Sequence, residues 1–259
     1  MHMIDLNSDL GESFGAWKMG RDAEVLGFVS SANVACGFHA GDACVMRATV
    51  AAAKAAGTAV GAHPGFPDLT GFGRRGMNCT PDEIYACTLY QLGALQAFCT
   101  AAGTELQHVK AHGAMYNQAA KRPEEAEAIA AAVHDAGSRL ILLGLAGSAF
   151  EGAAQKCGVP FAAEAFADRG YMPDGTLAPR SRPDAFVRDP ETAAARVLRM
   201  IREGVVEAVD GTVVALRPDS ICLHGDSASA VQMARTLRSR LEENGVTIAP
   251  LKNVLQMRQ

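Results

Sequence analysis

Residues that transfer protons or stabilise negative charge recur at one end of the predicted strands. Carboxylates and imidazoles act as general acids and bases at hydrolytic centres, and a lysine ammonium stabilises charge that develops on an oxygen. Each histidine also has a plainer interpretation, as a hydrogen-bonded residue of the core. Their recurrence on several strands favours a hydrolytic site. The candidate catalytic residues are Asp9, His39, His63, Lys110, His112 and His224.

Residue parity along the strands indicates how these side chains come together. Alternate residues of a strand face the same side, so Asp5, Asn7 and Asp9 share one face, whereas Ile4 and Leu6 take the other. Buried parallel strands are normally apolar throughout, and an unpaired buried polar group costs about 1–3 kcal/mol. Because the pattern recurs on several strands, we expect the polar faces to meet inside a barrel, near its carboxyl-terminal mouth.

Lys110 makes the strongest single case, because a buried ammonium needs an anionic partner. Asp9, Glu164 or a bound substrate can supply that partner. Arginines in polar loops are candidates for binding a carboxylate or phosphate in a forked geometry. A solvated surface position explains Arg74 or Arg75 equally well, whereas Asp168, Arg169 and Arg180 are better candidates for the pocket. The candidate substrate-binding residues are Asn33, Arg75, Glu164, Asp168, Arg169 and Arg180.

Short β-like runs alternate with longer helical segments, which predicts an α/β fold with a parallel sheet. Alternation alone leaves a closed barrel and an open sheet both possible. The length fits one barrel domain over residues 1–259. The predicted strands are Ile4–Asp9, Val29–Cys36, Thr58–Ala62, His108–Ala111, Arg139–Leu143, Phe161–Phe166, Ser220–Leu223 and Val246–Ala249.

Helix ends and one hairpin are also marked in the sequence. Thr80–Glu83 predicts a capping box around a proline at the first helical position, and that helix is expected to end near Gly103. Asp42 is expected to cap another helix. An Asp-Gly turn between apolar runs predicts a β-hairpin within Val205–Leu216.

The composition excludes several classes of partner. A net charge of −4 without a run of basic residues argues against nucleic acid and anionic membranes. Seven scattered cysteines without a CxxC pair encode neither a disulfide framework nor a cysteine-rich zinc site. The sequence has no signal-peptide pattern and no membrane-spanning apolar run. We therefore expect a cytoplasmic protein.

The usual nucleotide motifs are missing. Gly71–Gly76 has the glycine spacing of a dinucleotide-binding loop, but it neither ends a strand nor directly opens a helix, so that interpretation fails. We expect this segment to be a loop over the pocket. The chain contains no GxxxxGK[ST] phosphate-binding sequence.

Several segments resemble the LamB/YcsF family, and the resemblance covers almost the whole chain. Ser31–Asp42 alone is highly specific. One departure lies at Pro183–Phe186, where the family pattern leads us to expect Pro-Gly-Ala. The segments that carry the resemblance are Asn7–Glu12, Ser31–Asp42, Gly61–Asp68, Gly71–Arg75, Val109–Asn117, Phe166–Arg169 and Leu223–Asp226.

The resemblance implies a TIM-like (β/α)7 barrel related to the glycoside hydrolase and polysaccharide deacetylase barrels. It also implies hydrolysis of a cyclic amide C–N bond, the ATP-dependent conversion of 5-oxo-L-proline to L-glutamate, together with 5-oxoprolinase subunits B and C. An unstrained lactam is a poor electrophile, so ATP is expected as a co-substrate of that complex. The missing nucleotide motifs are consistent with activation in the partner subunits.

On this interpretation Asp9 or a neighbouring histidine takes a proton from water. Lys110 and a histidine stabilise the charge on the oxyanion and the phosphate, and Arg75 or Arg180 holds the substrate carboxylate.

Two other interpretations stay open. A self-sufficient metal hydrolase of the deacetylase type would use Asp9, His39 and His63 as an Asp-His-His site. A non-catalytic binding protein within the complex is the other possibility, although converging lysine and histidine side chains argue against it. Of these interpretations we favour the ATP-dependent one, without a tightly bound metal. The sequence does not determine whether the chain forms a homo-oligomer.

Overall fold

The computed structural model describes residues 2–223 and 230–258. A closed barrel of seven parallel strands occupies its centre, in the order β1-β2-β3-β4-β5-β6-β9, and β9 pairs back onto β1. β10 adds to the beginning of β1, where His2 pairs with Val246. The strands are β1 (His2–Leu10), β2 (Ser31–Ala35), β3 (Ala59–His63), β4 (Leu106–Val109), β5 (Ile141–Leu145), β6 (Phe161–Phe166), β7 (Val205–Glu207), β8 (Val213–Ala215), β9 (Ser220–Leu223) and β10 (Val246–Ile248).

Helices follow most barrel strands and cover the outside of the barrel. Among them, α5 packs against both α3 and α6. Within the described ranges, no helix is both long and apolar enough to cross a membrane. The helices are α1 (Asp22–Val25), α2 (Ala43–Ala56), α3 (Pro81–Ala102), α4 (Gly113–Ala119), α5 (Pro123–Ala136), α6 (Ala149–Cys157), α7 (Pro190–Glu203), α8 (Ala230–Glu243) and α9 (Leu251–Gln256).

The two faces of β1 differ as the parity of the sequence predicts. Ile4 and Leu6 are fully buried in the main hydrophobic core. Asp5 and Asn7 are equally buried, but their side chains bond across the barrel interior, as in the hydrogen bond of 2.8 Å from Asn7 to Ser220 on β9. The prediction that the polar faces meet inside a closed barrel is therefore confirmed.

The predicted helix ends are confirmed. Thr80 accepts a hydrogen bond from the backbone N–H of Glu83, and Glu83 accepts one from the backbone of Thr80, which completes a capping box. Asp42 accepts hydrogen bonds from the backbone N–H groups of Cys44 and Val45. These caps begin α3 and α2 at the residues where the sequence places them.

The hairpin is also confirmed, whereas most strand boundaries differ from expectation by one or two residues. β7 and β8 pair antiparallel, with Val206 opposite Val214. β5 begins at Ile141 instead of Arg139, because the chain is still turning at Leu140, whose backbone N–H bonds to the carbonyl of Gly137. β4 ends at Val109, so Lys110 and His112 lie just beyond the strand that aims them.

Candidate active site

A small cavity opens at the carboxyl-terminal mouth of the barrel, where α/β barrels carry their catalytic groups. Its volume is about 120 Å³, which is the room that about four water molecules take up in the liquid. This space suits a small substrate. The polar residues that line it are Asp9, Glu12, His63, Arg74, Lys110, His112, Tyr116, Asn117, Arg169 and Arg180.

Strand register places one polar layer below the cavity. Asp9 on β1 pairs with Asn33 on β2, and Asn33 pairs with Gly61 on β3. Gly61 pairs in turn with His108 on β4. A Cβ on Gly61 would lie only 2.0 Å from Nε2 of His108, so the glycine leaves the space that the imidazole fills.

Lys110 lies at the centre of the barrel interior and is 2% exposed. Its Nζ lies 3.0 Å from Oδ1 of Asp9 and 2.9 Å from Oε1 of Glu164. It also donates to Oδ1 of Asn7 at 3.3 Å. Burial acts to lower the pKa of Lys110, but Asp9, Cys222 and Glu164 outweigh it and raise the pKa well above its usual value. The lysine is therefore charged and fully engaged by the protein.

Amide side chains extend this network between the strands. Asn33 donates to Oδ1 of Asn7 at 2.7 Å and to Oδ1 of Asp9 at 2.8 Å. Its own oxygen accepts from Nε2 of His108, also at 2.7 Å. Burial, reinforced by the charge of Lys110, lowers the pKa of His108 to about 3. His108 is thus a neutral residue of the barrel interior.

Asp5 closes the bottom of the network through hydroxyl groups. Its Oδ1 accepts from Ser30 at 2.6 Å and from Ser31 at 2.7 Å, and Ser220 donates to its other oxygen. Complete burial raises the pKa of Asp5 to about 6, although the three serine hydrogen bonds oppose that rise.

Glu164 lies beneath the cavity and has no exposed surface. Besides Lys110, it accepts hydrogen bonds from Asn7 at 3.0 Å and from the hydroxyl of Tyr116 at 2.6 Å. These contacts engage both oxygens of Glu164, and the residue does not line the cavity. It holds Lys110 and Tyr116 in place, which differs from the direct substrate contact expected from the sequence.

Two histidines above this network have their tautomers set by backbone carbonyl groups. Nδ1 of His63 lies 2.7 Å from the carbonyl oxygen of Lys110, and Nε2 of His112 lies 2.8 Å from that of Phe72. A carbonyl oxygen only accepts, so each of these ring nitrogens carries the hydrogen. The remaining nitrogens, Nε2 of His63 and Nδ1 of His112, face each other at 3.0 Å. Nε2 of His63 also lies 3.3 Å from Oδ2 of Asp9.

His39 and Glu12 complete this upper group. The His39 ring is buried and stacks on His112 with 3.8 Å between the ring centroids. Oε1 of Glu12 lies 3.6 Å from Nε2 of His39 and 3.5 Å from Nδ1 of His112. Burial lowers the pKa of both His39 and His112 well below the usual value, and it raises the pKa of Glu12. Gly73 packs so closely that a Cβ there would lie 2.8 Å from Cδ2 of the His112 ring and 2.8 Å from Cβ of His39.

Arginines form the outer rim of the cavity. Arg169 is mostly buried and donates to the backbone carbonyls of Ala178 and Ala185. Burial, with the charge of Arg180 nearby, lowers its pKa to about 10. Arg74, Arg169 and Arg180 also line a second cavity of about 430 Å³ beside the first. The rim is therefore cationic.

The comparisons with known proteins agree with this architecture. The sequence model of the LamB/YcsF family matches residues 4–256. The chain belongs to the LamB/YcsF family. A protein from Bordetella parapertussis that is named as the A subunit of 5-oxoprolinase is 56% identical over 245 residues, which cover 95% of this chain and 97% of that relative. One of the same name from Bacillus thuringiensis is 54% identical over 253 residues, covering 97% and 100%.

A solved structure supports the same family assignment. The crystal structure of a lactam utilization protein from Thermus thermophilus aligns with a TM-score of 0.91 at 51% identity, covering 95% of this chain and 99% of that one. A T48 deacetylase aligns with a TM-score of only 0.47 at 16% identity, over 98% and 91%. The second likeness is too low to support an argument about function.

The structure places the predicted residues in three groups, according to whether they line the cavity, lie off its lining or fall outside the described residues. Of the catalytic candidates, Asp9, His63, Lys110 and His112 meet at the cavity, and His39 is buried against them. His224 lies outside the described residues. Of the other candidates, Arg169 and Arg180 line the cavity, whereas Asn33, Glu164, Arg75 and Asp168 are absent from its lining.

Arg75 is held away from the cavity by Asp68. Its Nε lies 2.9 Å from Oδ1 of Asp68, while most of the Arg75 side chain stays exposed. Its neighbour Arg74 lines both cavities instead. Sequence reasoning could not separate two adjacent arginines in an irregular loop.

Two residues at the site do not follow from strand parity. Glu12 lies beyond the end of β1, and Tyr116 lies in α4, where strand parity gives no information. Both fall within segments that carry the family resemblance, which is the signal that would have found them.

Proposed function

We propose that the chain is the A subunit of a 5-oxoprolinase, which converts 5-oxo-L-proline to L-glutamate with ATP and partner subunits B and C. The observation that carries this proposal is the near full-length likeness to relatives that bear this name, at 54–56% identity. A cavity sized for a small substrate, with a carboxylate in its wall and a cationic rim, supports it.

The chemistry of the substrate explains the need for ATP. Resonance makes a lactam carbonyl a poor electrophile, and transfer of a phosphoryl group from ATP to the amide oxygen activates it. One water then adds to the carbonyl carbon, and the ring C–N bond breaks with its electron pair going to nitrogen. A second water hydrolyses the resulting acyl phosphate to glutamate and phosphate.

Asp9 is the proposed general base for the attacking water. Lys110 and Asn33 both bond to Oδ1 of Asp9, so the carboxylate is held in one orientation, and its Oδ2 is the atom proposed to take the proton. A positioned base of this kind contributes about 10²–10⁴ in rate. Lys110 acts as a positioning residue, because its partners Asp9, Glu164 and Asn7 already engage the ammonium.

The arginine rim is the proposed binding site for the anionic groups of the substrate. Both 5-oxoproline and its phosphorylated form carry negative charge, and guanidinium groups bind carboxylate and phosphate in a forked geometry. Arg74 and Arg180 line both cavities and therefore lie between the reacting centre and the outside. His63 and His112 form the adjacent wall.

The test is an assay of glutamate formation from 5-oxoproline and ATP. We expect activity only when this chain and subunits B and C are combined, and loss of that activity in Asp9→Asn. Conversion by this chain alone without ATP would instead indicate a self-sufficient hydrolase. Full activity of the complex with Asp9→Asn would favour a non-catalytic binding role for this chain.

A further inference from the structure

We propose that Glu12, His39, His63 and His112 form a binding site for one divalent transition-metal ion, with Zn²⁺ as the first choice. The four side chains come from the ends of successive barrel strands β1 to β4, where the chain turns out of the barrel. One ligand atom from each lies within 4.8 Å of the others. The proposal adds an ion to the wall of the cavity and differs from the Asp-His-His site that the sequence suggested.

The tautomers of His63 and His112 aim two lone pairs at one point. The outer nitrogen of each ring donates to a backbone carbonyl, so the inner nitrogens are acceptors when the rings are neutral. Two acceptors 3.0 Å apart repel each other unless a proton or a cation lies between them. Histidine ligands of metal ions are typically oriented in this way, through a hydrogen bond from the other ring nitrogen.

Glu12 and His39 present further polar atoms that the rest of the described chain leaves unsatisfied. Oε1 of Glu12 and both ring nitrogens of His39 are buried and have no hydrogen-bond partner. The side chain of His39 is completely buried, and that of Glu12 is 10% exposed. An unsatisfied buried polar group costs about 1–3 kcal/mol, and a bound ion is one of the recognised explanations for such a group. One cation among these atoms would satisfy Oε1 of Glu12 and Nε2 of His39 together, whereas Nδ1 of His39 faces the other way, toward Gly65.

The spacing of the ligand atoms fits a small coordination sphere. A tetrahedral zinc ion with bonds of about 2.0–2.1 Å separates its ligand atoms by about 3.3–3.4 Å. The separations within the group are 3.0 Å between His63 and His112, 3.5 Å between His112 and Glu12, and 3.6 Å between His39 and Glu12. His39 and His112 lie face to face, so coordination requires the two rings to tilt toward each other.

The donor set indicates the class of ion. Three imidazoles and one carboxylate suit Zn²⁺ and neighbouring divalent transition metals, whereas Mg²⁺ and Ca²⁺ prefer oxygen ligands. Glu12, His63 and His112 line the cavity, so the ion would be accessible to a water or to a substrate oxygen there. Such an ion would polarise either of them and lower the pKa of a bound water.

The proposal is tested by zinc binding to the purified full-length chain. The chain is first treated with a chelator, then dialysed against graded Zn²⁺ and analysed for metal content. We expect one ion per chain. We expect Glu12→Gln, His39→Gln and His112→Gln each to weaken zinc binding by at least about 10- to 100-fold. Loss of a residue that only orients a metal ligand already costs that much.

A matched control is available on the outer surface. His134 is an exposed histidine on α5, where it contacts Asp135, and His134→Gln should leave the stoichiometry and affinity unchanged. Circular dichroism of each variant checks that the fold is intact. Because Glu12 is partly exposed at the cavity, Glu12→Gln still tests the proposal if a buried histidine variant fails to fold.

Several outcomes would overturn the proposal. They are a wild-type chain that binds no zinc, a folded Glu12→Gln variant that binds zinc as the wild type does, and loss of binding in His134→Gln. The dialysis contains no 5-oxoproline, ATP or partner protein. Failure of metal binding is therefore distinguishable from failure of the proposed reaction, which the glutamate assay tests separately.

Discussion

The barrel interior holds two polar groups that are close in space and opposite in their hydrogen bonding. In the lower group, around Lys110, charges and amides are paired within the protein, as in the contacts of Lys110 with Asp9 and Glu164. In the upper group, around His39 and Glu12, buried nitrogen and oxygen atoms lie close together without hydrogen-bond partners among the described residues. Both are buried, so burial does not distinguish them. Their hydrogen bonding does, although Nδ1 of His108 in the lower group also lacks a partner. A network whose members are hydrogen-bonded to one another holds residues in place, whereas a group of unsatisfied atoms is suited to binding a ligand.

Asp9 links the two groups and shows how they cooperate. Its Oδ1 belongs to the lower network through Lys110 and Asn33, and its Oδ2 faces His63 of the upper group. The lower network thus fixes the orientation of a carboxylate whose other oxygen is the proposed proton acceptor. Mutations in the lower group should act on stability and activity together, and mutations at Asp9 mainly on activity.

Lys110→Met should have the largest effect. It leaves Asp9 and Glu164 as neighbouring buried carboxylates without a cation, and removing one partner of a buried ion pair typically costs about 3–5 kcal/mol. We expect a loss of unfolding free energy of this size in urea denaturation, together with loss of glutamate formation.

The control for this change is Lys156→Met, which breaks an exposed ion pair with Glu127. It should leave the denaturation midpoint nearly unchanged, since exposed pairs contribute little. A Lys110→Met protein as stable as the wild type would show that the lower network does not depend on the ion pair.

Asp9→Asn should have the second largest effect. It should separate loss of activity from loss of stability. The amide keeps a similar shape, and Lys110 retains Glu164 as its anionic partner, so the loss of stability should be smaller than for Lys110→Met. Loss of the base should lower kcat by about 10²–10⁴ with little change in KM. Steady-state kinetics of the complex measure both. A rise in KM at unchanged kcat would assign Asp9 to binding instead of proton transfer.

Much of the fold could be predicted, because parity and helix caps are local properties of the sequence. The polar face of β1, the capping box at Thr80 and the hairpin near Asp210 each depend on residues close together in the chain. Where the predicted boundaries were wrong, pairing with other strands explains the difference: β5 begins at Ile141 because its pairing with β4 starts there, opposite His108. Periodicity therefore predicts the identity of an element better than its ends.

The residues of the site could be predicted only where a strand orients their side chains. Asp9, His63 and Lys110 follow from parity along the strands. Glu12 lies in a loop, where no strand periodicity indicates the direction of the side chain. The role of Glu164 was also hidden, since a sequence does not show that Lys110 and Tyr116 occupy its oxygens. Partner choice among buried polar groups depends on distances across the barrel, which local patterns do not contain.

The stability of the lower group should also depend on pH through Asp5. Burial raises its pKa from the usual 3.8 to about 6, so the folded protein holds this proton more tightly than the unfolded chain. The stabilisation is complete below about pH 4 and is lost as the pH rises through 6. A shift of about two units corresponds to roughly 3 kcal/mol.

Asp5→Asn should remove this part of the pH dependence. Unfolding free energies of the wild type and the variant, measured in urea from pH 4 to 7, should differ in slope between pH 4 and 6, because the other carboxyl groups titrate equally in both proteins. Parallel curves would mean that Asp5 titrates in the folded protein as it does in the unfolded chain.

The smallest expected effect on the enzyme distinguishes two adjacent arginines of the rim. Arg74 lines both cavities, whereas Arg75 is turned to Asp68 and solvent. Arg74→Ala should raise KM for 5-oxoproline, because it removes a cation from the path of an anionic substrate. Arg75→Ala should change neither KM nor kcat and serves as the matched control. If Arg75→Ala raised KM and Arg74→Ala did not, the loop would have to change conformation when substrate binds. Arg75 would then replace Arg74 as the residue of the cationic rim that contacts the substrate.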